Sequence, residues 1–417
     1  MVISLQRDCV IAGGGPAGMV LGYLLARAGL SVTVLEKHSD FLRDFRGDTI
    51  HPSTLTLLGE LGLRERFLQL PVTRLSTLDA VLEGVRMTLV DFGVLPGPDD
   101  FLVLAPQWDF LNFLSREASE LPGFELRMDT AATGLLKQNA EDDDGAVLGL
   151  RADSPLGELQ IHATLTVAAD GRDSVLRESA GMEPEESGVP IDVLWFSLPK
   201  PSNPPPPTLG YVSAAGMVLT LDRGATYQSG LVIGKGEFKD LRELGLAAVR
   251  ARLAHAAPVL NEVVETLTDW YQLKLLSVQI NRLPCWHRKG FIAIGDAAHA
   301  MSPMFGVGVN YAIQDAVALA NAITADLHKG RAPAMRLAAV QARRERPVKV
   351  MQWIQGRGHR VITRSTQGRR VIPGGVITVI GFASPLLRRV TARVIGLGLL
   401  PEHVRTDPAG MDVGAPG

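Results

Sequence analysis

Residues 8–18 read Asp8-Cys9-Val10-Ile11-Ala12-Gly13-Gly14-Gly15-Pro16-Ala17-Gly18, and this stretch decides the fold. Four apolar residues enter a GxGxxG turn with glycines at 13, 15 and 18. Small and apolar residues follow from Ala17 to Ala28, closed by Gly29. A short apolar run that enters a glycine turn reads as a buried strand leading to a helix. Gly13 permits the tight turn, Gly15 lets the backbone approach a pyrophosphate, and Gly18 lets the helix lie close on the strand. Free N–H groups and the dipole at the helix start favour phosphate. Ser31 to Glu36 is β-branched and apolar and reads as a second parallel strand. Glu36 ends it, eighteen residues after Gly18, where a carboxylate can accept bonds from ribose hydroxyls.

Two further segments carry similar chemistry. Ala169-Asp170-Gly171-Arg172-Asp173-Ser174-Val175-Leu176-Arg177 follows a strand expected over Gln160–Ala169. Taken alone it is equally an ordinary strand-to-helix turn with Asp as a cap. Residues 290–310 read GFIAIGDAAHAMSPMFGVGVN. Phe291 to Ile294 is an expected strand, and Gly295–Asp296 places a carboxylate at its carboxyl end, where open α/β sheets bind ligands. Pro303 and Gly306-Val307-Gly308 lead into a helix expected from Val309 to Leu327. Those glycines let backbone amides approach a flat ring, and the helix start favours negative charge on the ring's edge. His299 is a candidate acid–base residue, although a histidine so placed is more often structural.

Together the three segments resemble the flavoprotein aromatic hydroxylases, single-component FAD-dependent monooxygenases related to para-hydroxybenzoate hydroxylase. The resemblance spans residues 8–326 in order and spacing. It implies an α/β fold: a Rossmann-like FAD-binding domain, an inserted substrate domain of mostly antiparallel sheet, and a helical C-terminal region. The dinucleotide motif falls on Gly13, Gly15, Gly18 and Glu36, with Pro16, Ala17 and Lys37 beside them. The DG motif falls on Asp170, Gly171, Ser174 and Arg177. The GD motif falls on Gly295 and Asp296, followed by Pro303, Gly306, Gly308, Val309 and Asn310. Softer matches are Arg46, like the family's arginine beside the flavin, and Gln107, like a residue that contacts FAD.

The resemblance implies a reaction as well. FAD is held without a covalent link and is reduced by NADH or NADPH. Reduced flavin and O2 give a C4a-hydroperoxyflavin, which hydroxylates a small aromatic substrate, phenolic or polycyclic. No second GxGxxG exists for the nicotinamide; Asp170 and Arg46 are the candidates for serving it too. No catalytic acid or base is assigned. The alternatives are a flavin-dependent reductase that does not use O2 and a non-catalytic flavin-binding accessory protein. A halogenase would need a WxWxIP signature, which is absent.

The remaining sequence sets bounds. At 417 residues the chain is long for one core, and 46% of its residues are apolar. The expected division is 1–182 with 286–330 for FAD, 183–285 for substrate, and 331–417 as a basic helical region; some substrate-side strands fall within 70–105. A formal charge of −2 argues against nucleic acid, and two distant cysteines, Cys9 and Cys285, suggest neither metal nor disulfide. The expectation is a soluble cytoplasmic monomer or homodimer. Further expected elements are helices over Pro52–Leu70, Gln107–Glu120 and Leu241–Leu267, a hairpin turn at 141–145, and a loop through the prolines of Ser202–Pro207. In the strands expected to form the pocket, Trp195, Phe196, Tyr211, Met217 and Tyr227 are each expected to be core. Residues 331–417 hold fifteen Lys and Arg against four Asp and Glu, a local charge of +11 that leaves −13 elsewhere. Arg343, Arg344, Arg346, Lys349, Arg357 and Arg360 are expected on one helix as solvated arginines and lysine; the sharper reading is a basic amphipathic surface for a membrane or partner.

Overall fold

The computed structural model describes residues 2–42, 49–138, 145–205, 210–366 and 384–406. β1 (Ile3–Ala12), α1 (Pro16–Arg27) and β2 (Val32–Leu35) form the expected βαβ unit. β1 lies between β2 and Gly157–Ala168, parallel to both, and Phe291–Ala293 adds a further parallel strand. The register aligns the strand ends: Ala12 pairs with Leu35 and Ala168, and Ala168 pairs with Ala293. Segments at 13, 36, 169 and 294 therefore leave the sheet along one edge. A parallel sheet covered on its faces needs near-continuous apolar strands, and Cys9, Val10, Ile11 and Ala12 are all buried. Gly22 lets α1 settle on the sheet, since a Cβ there would stand 2.8 Å from Val34 and 2.9 Å from Phe124.

A seven-stranded sheet forms the second layer system. Its order is Lys274–Ser277, Ile191–Pro199, Thr226–Gly234, Gly216–Arg223, Gly210–Ser213, Thr77–Leu82 and Val85–Asp91. All pairs are antiparallel except Gly210–Ser213 with Thr77–Leu82. Strand alternation divides the expected core residues. Phe196, Tyr211 and Tyr227 pack in an apolar cluster with Leu241, Val249 and Leu253 of two short helices. Trp195, 7% exposed, is core in a second apolar cluster on the other face, where half-buried Met217 packs against it, and both also line a cavity.

Two expected helices are interrupted at glycine and proline. Leu241–Leu267 divides into Phe238–Leu244 and Leu246–Ala256 at Gly245, whose φ is 87°, and only 3-10 turns follow Pro258. Pro52–Leu70 divides into Pro52–Glu60 and Arg64–Phe67 around Gly62, with φ 70°. Helical spacing persisted in both segments, but a left-handed residue ends the hydrogen-bond ladder. The hairpin positions 141–144, Pro206 and Pro207, and Arg46 lie outside the described residues.

The helix Ala334–Thr366 carries all six basic residues named above. Arg346, Lys349, Arg357 and Arg360 are exposed, as a solvated face requires. Arg344 is not: it is 1% exposed, and the solvated reading is corrected there. Among the described residues no helix is long and apolar enough to cross a membrane.

Candidate functional site

The aligned strand ends open into a cavity of about 670 Å³ that continues onto the face of the seven-stranded sheet away from its two short helices. At one end stand Gly13, Gly15, Pro16 and Ala17, with Glu36 and Lys37. Gly13 has φ 107°, and a Cβ there would lie 2.2 Å from the Ala169 carbonyl oxygen, so the first turn is wedged against the DG segment. A Cβ on Gly18 would lie 2.0 Å from the Gly13 oxygen; Gly18 is a packing glycine and does not line the cavity. A Cβ on Gly15 would meet nothing within 4 Å. No side chain caps α1, so its first N–H groups remain available to an anion. This cradle fits a pyrophosphate. Glu36 accepts from Gly14 N at 3.2 Å and from His38 N and Nδ1 at 3.1 and 2.7 Å, which sets its carboxylate at the strand end.

The DG and GD segments meet beside that turn. Asp170 and Gly171 line the cavity, and Asp170 also acts as a local cap, accepting from Ser174 Oγ and from Leu176 N at 3.2 Å. Burial raises the Asp170 carboxyl above its usual value, while those hydrogen bonds pull against the rise. The capping reading of this segment thus describes Asp170, which also faces the cavity. Arg172, given no role from sequence, donates from Nε to Asp296 at 3.1 Å and from NH2 to the Met301 carbonyl at 3.2 Å. Arg177 donates to the Ala297 and Arg172 carbonyls. Two arginines thus tie one motif to the other, and their presence inside the DG segment was the available signal.

Asp296, Pro303, Gly306, Gly308 and Val309 line the cavity, and Gln107 borders it from the start of its helix Gln107–Ser119. Gly306 has φ 62° and packs against Thr49, whose hydroxyl donates to its carbonyl at 3.0 Å. Phe305 beside it also holds a positive φ, 66°. Gly295 and Asn310 stand behind the cavity. Gly295 N donates to Asp315, and Asn310 accepts from His51 N and Thr54 Oγ1 at 3.0 and 2.7 Å. These two support the loops that line the space.

The family model described as "FAD binding domain" matches residues 6–354. The chain belongs to the flavoprotein aromatic hydroxylases. It is 31% identical over 349 residues to 6-methylpretetramide 4-monooxygenase of Streptomyces rimosus, covering 81% of this chain and 80% of that protein. It is 26% identical to para-nitrophenol 4-monooxygenase of Pseudomonas sp. (strain WBC-3), covering 77% and 78%. Among solved structures, OxyS anhydrotetracycline hydroxylase from Streptomyces rimosus superposes with a TM-score of 0.75 at 23% identity, over 94% of this chain and 76% of that one. That last likeness speaks for the fold. The chain is accordingly a flavoprotein monooxygenase of mixed α/β build.

In this hydroxylase, His299 is part of the frame. It is 1% exposed, its ring lies 4.9 Å from that of Trp286, and its Nε2 donates to Asp315 at 2.5 Å. Arg344 Nε donates to the other Asp315 oxygen at 3.0 Å, and its NH1 to the Leu400 carbonyl at 3.1 Å. Burial alone would raise the Asp315 carboxyl; His299 and Arg344 hold it below the usual carboxylate range. Asp315 also receives the Gly295 N–H at 3.1 Å. The C-terminal region is thereby wired to the GD motif, which the sequence did not disclose. His51 Nδ1, donating to the Ile395 carbonyl at 2.7 Å, adds a second tie.

Proposed function

We propose that this hydroxylase binds one FAD without a covalent link and uses NADH or NADPH with O2 to hydroxylate a phenolic or polycyclic aromatic molecule. The observation that supports this reading is the continuity of one cavity from the glycine cradle to an apolar sheet face. In the proposal Gly13–Gly15 and the start of α1 receive the pyrophosphate, Glu36 the ribose of the adenosine, and Asp296 the ribityl chain. Gly306, Gly308 and the start of Gly308–Leu327 receive the ring. Bound there, FAD supplies two-electron chemistry with the nicotinamide and with oxygen.

The chain's own residues then bind, orient and exclude water. Ile191, Val193 and Trp195 alternate along one strand, with Met217, Leu219 and Leu221 along another, and all six line the cavity. Such a wall takes a flat apolar molecule and leaves few partners for water. In this reading the sheet built around β1 serves the cofactor and the seven-stranded sheet the substrate. The test is acid precipitation of the yellow protein, followed by an oxygen-electrode screen of phenols and polycyclic aromatics with NADH and NADPH. Flavin in the supernatant and oxygen uptake that depends on an aromatic compound are expected. Colourless protein that fails to take up FAD, or NAD(P)H turnover without oxygen uptake, overturns the reading.

A further inference from the structure

His359 lines the cavity although it belongs to the C-terminal helix Ala334–Thr366. It shares a helix face with Gln352 and Gln355 at seven and four residues' spacing. The two glutamines are occupied by backbone. Gln352 Nε2 donates to the Asn281 and Ala300 carbonyls at 2.8 and 3.0 Å. Gln355 accepts from Ser302 N at 3.2 Å and donates to the Ser302 and Met304 carbonyls, each at 3.1 Å. Between them and His359, Gly358 allows close contact, since a Cβ there would stand 2.7 Å from Met304 Sδ. The helix is therefore locked onto the loop Ser302–Gly306, which lines the cavity and whose Met304 packs against the apolar face of the sheet.

His359 is engaged on one edge only. Its Nε2 lies 2.8 Å from Ser302 Oγ, and among the described residues its other ring nitrogen has no hydrogen-bond partner. An imidazole has two polar edges, and the one not held by Ser302 remains available to a partner. The facing sheet wall offers aliphatic side chains, Met217 and Trp195. We propose that His359 holds a hydroxyl group of the aromatic substrate and so sets how the ring lies against the Ser302–Gly306 loop. This rests on the aromatic reading of the cavity given above. Burial pushes the imidazole down to about 4, so at neutral pH it is uncharged. A neutral ring bonds a hydroxyl as donor or acceptor and gives no charge attraction to a carboxylate.

The experiment compares 2-naphthol with naphthalene on the FAD-loaded enzyme by equilibrium dialysis. The parent should prefer 2-naphthol, and His359→Leu should reduce that preference about three- to tenfold while naphthalene binds as before, the range of one neutral hydrogen bond. His359→Gln, which keeps a hydrogen-bonding group, should retain most of the preference. An unchanged ratio in His359→Leu overturns the proposal. Binding of neither compound to the parent instead overturns the aromatic reading, so the two failures are distinct. Nitrogen-labelled histidine NMR of the parent reads the same contact without any substitution: 2-naphthol should shift one imidazole that naphthalene leaves in place, and no such shift overturns the proposal.

Discussion

Replacing Arg344 with methionine should cost this enzyme far more than an arginine on a basic helix would suggest. The side chains of Arg344 and Asp315 are 2% and 0% exposed. Methionine keeps much of the buried volume and removes the charge. Asp315 would then be left with His299 and the Gly295 N–H. Breaking a buried pair by removing one partner costs about 3–5 kcal/mol. That is at least about a hundredfold in the folded-to-unfolded ratio. Lys349→Ala is the control on the same helix: its partner Glu345 is four residues away, the lysine is 51% exposed, and about 0.3–0.5 kcal/mol is at stake. Denaturant unfolding of both variants, with FAD titration alongside, makes the comparison. FAD binding should weaken in Arg344→Met because Gly295 precedes Asp296. The sign of the pH effect follows from the depressed Asp315 value. Its stabilisation is complete above the ordinary carboxylate range and is lost as pH falls through the depressed value; without Arg344 that loss begins at higher pH. Equal unfolding midpoints for Arg344→Met and Lys349→Ala would refute the argument.

Two further outcomes are expected. Asp296→Ala should weaken FAD binding about tenfold to a hundredfold, the loss of a hydrogen bond to a charged acceptor, and Glu36→Ala should do so less; an FAD titration matching the parent's for Asp296→Ala would remove that assignment. NAD(P)H should reduce the flavin slowly alone and faster with a hydroxylated aromatic present, since reduced flavin reacts with oxygen whether or not a substrate waits. Such gating requires the substrate to favour one of two arrangements of the bound flavin; about 2.7 kcal/mol of differential affinity shifts their ratio a hundredfold, and equal stopped-flow reduction rates with and without substrate would defeat it.

Short-range chemistry was legible in the sequence. The βαβ unit, the three glycine–carboxylate segments and their order follow from residues whose requirements are local: a positive φ at Gly13, a packing glycine at 18, a carboxylate at a strand end. Strand alternation likewise implied that the pocket-strand candidates would divide between two faces of the sheet, yet could not say which face meets the cavity. Trp195 and Phe196 are neighbours in sequence, and only the packing of the whole sheet assigns Phe196 to the cluster under the two short helices and Trp195 to the cluster that lines the cavity.

The long-range ties were not legible, because periodicity and motif spacing carry no information about what a distant segment meets. Arg344 and Arg346 look alike in a run of basic residues, but tertiary packing buries the first on Asp315 and leaves the second in solvent. His299 drew notice beside the GD motif and became part of the frame, whereas His359, unremarked in the sequence and sixty residues further along, reaches the cavity from the C-terminal helix. By itself the sequence determined which segments have the local geometry to cradle a dinucleotide. The tertiary structure alone decided which charges are buried and which side chains face the cavity, because desolvation and alignment depend on elements brought together from across the whole chain.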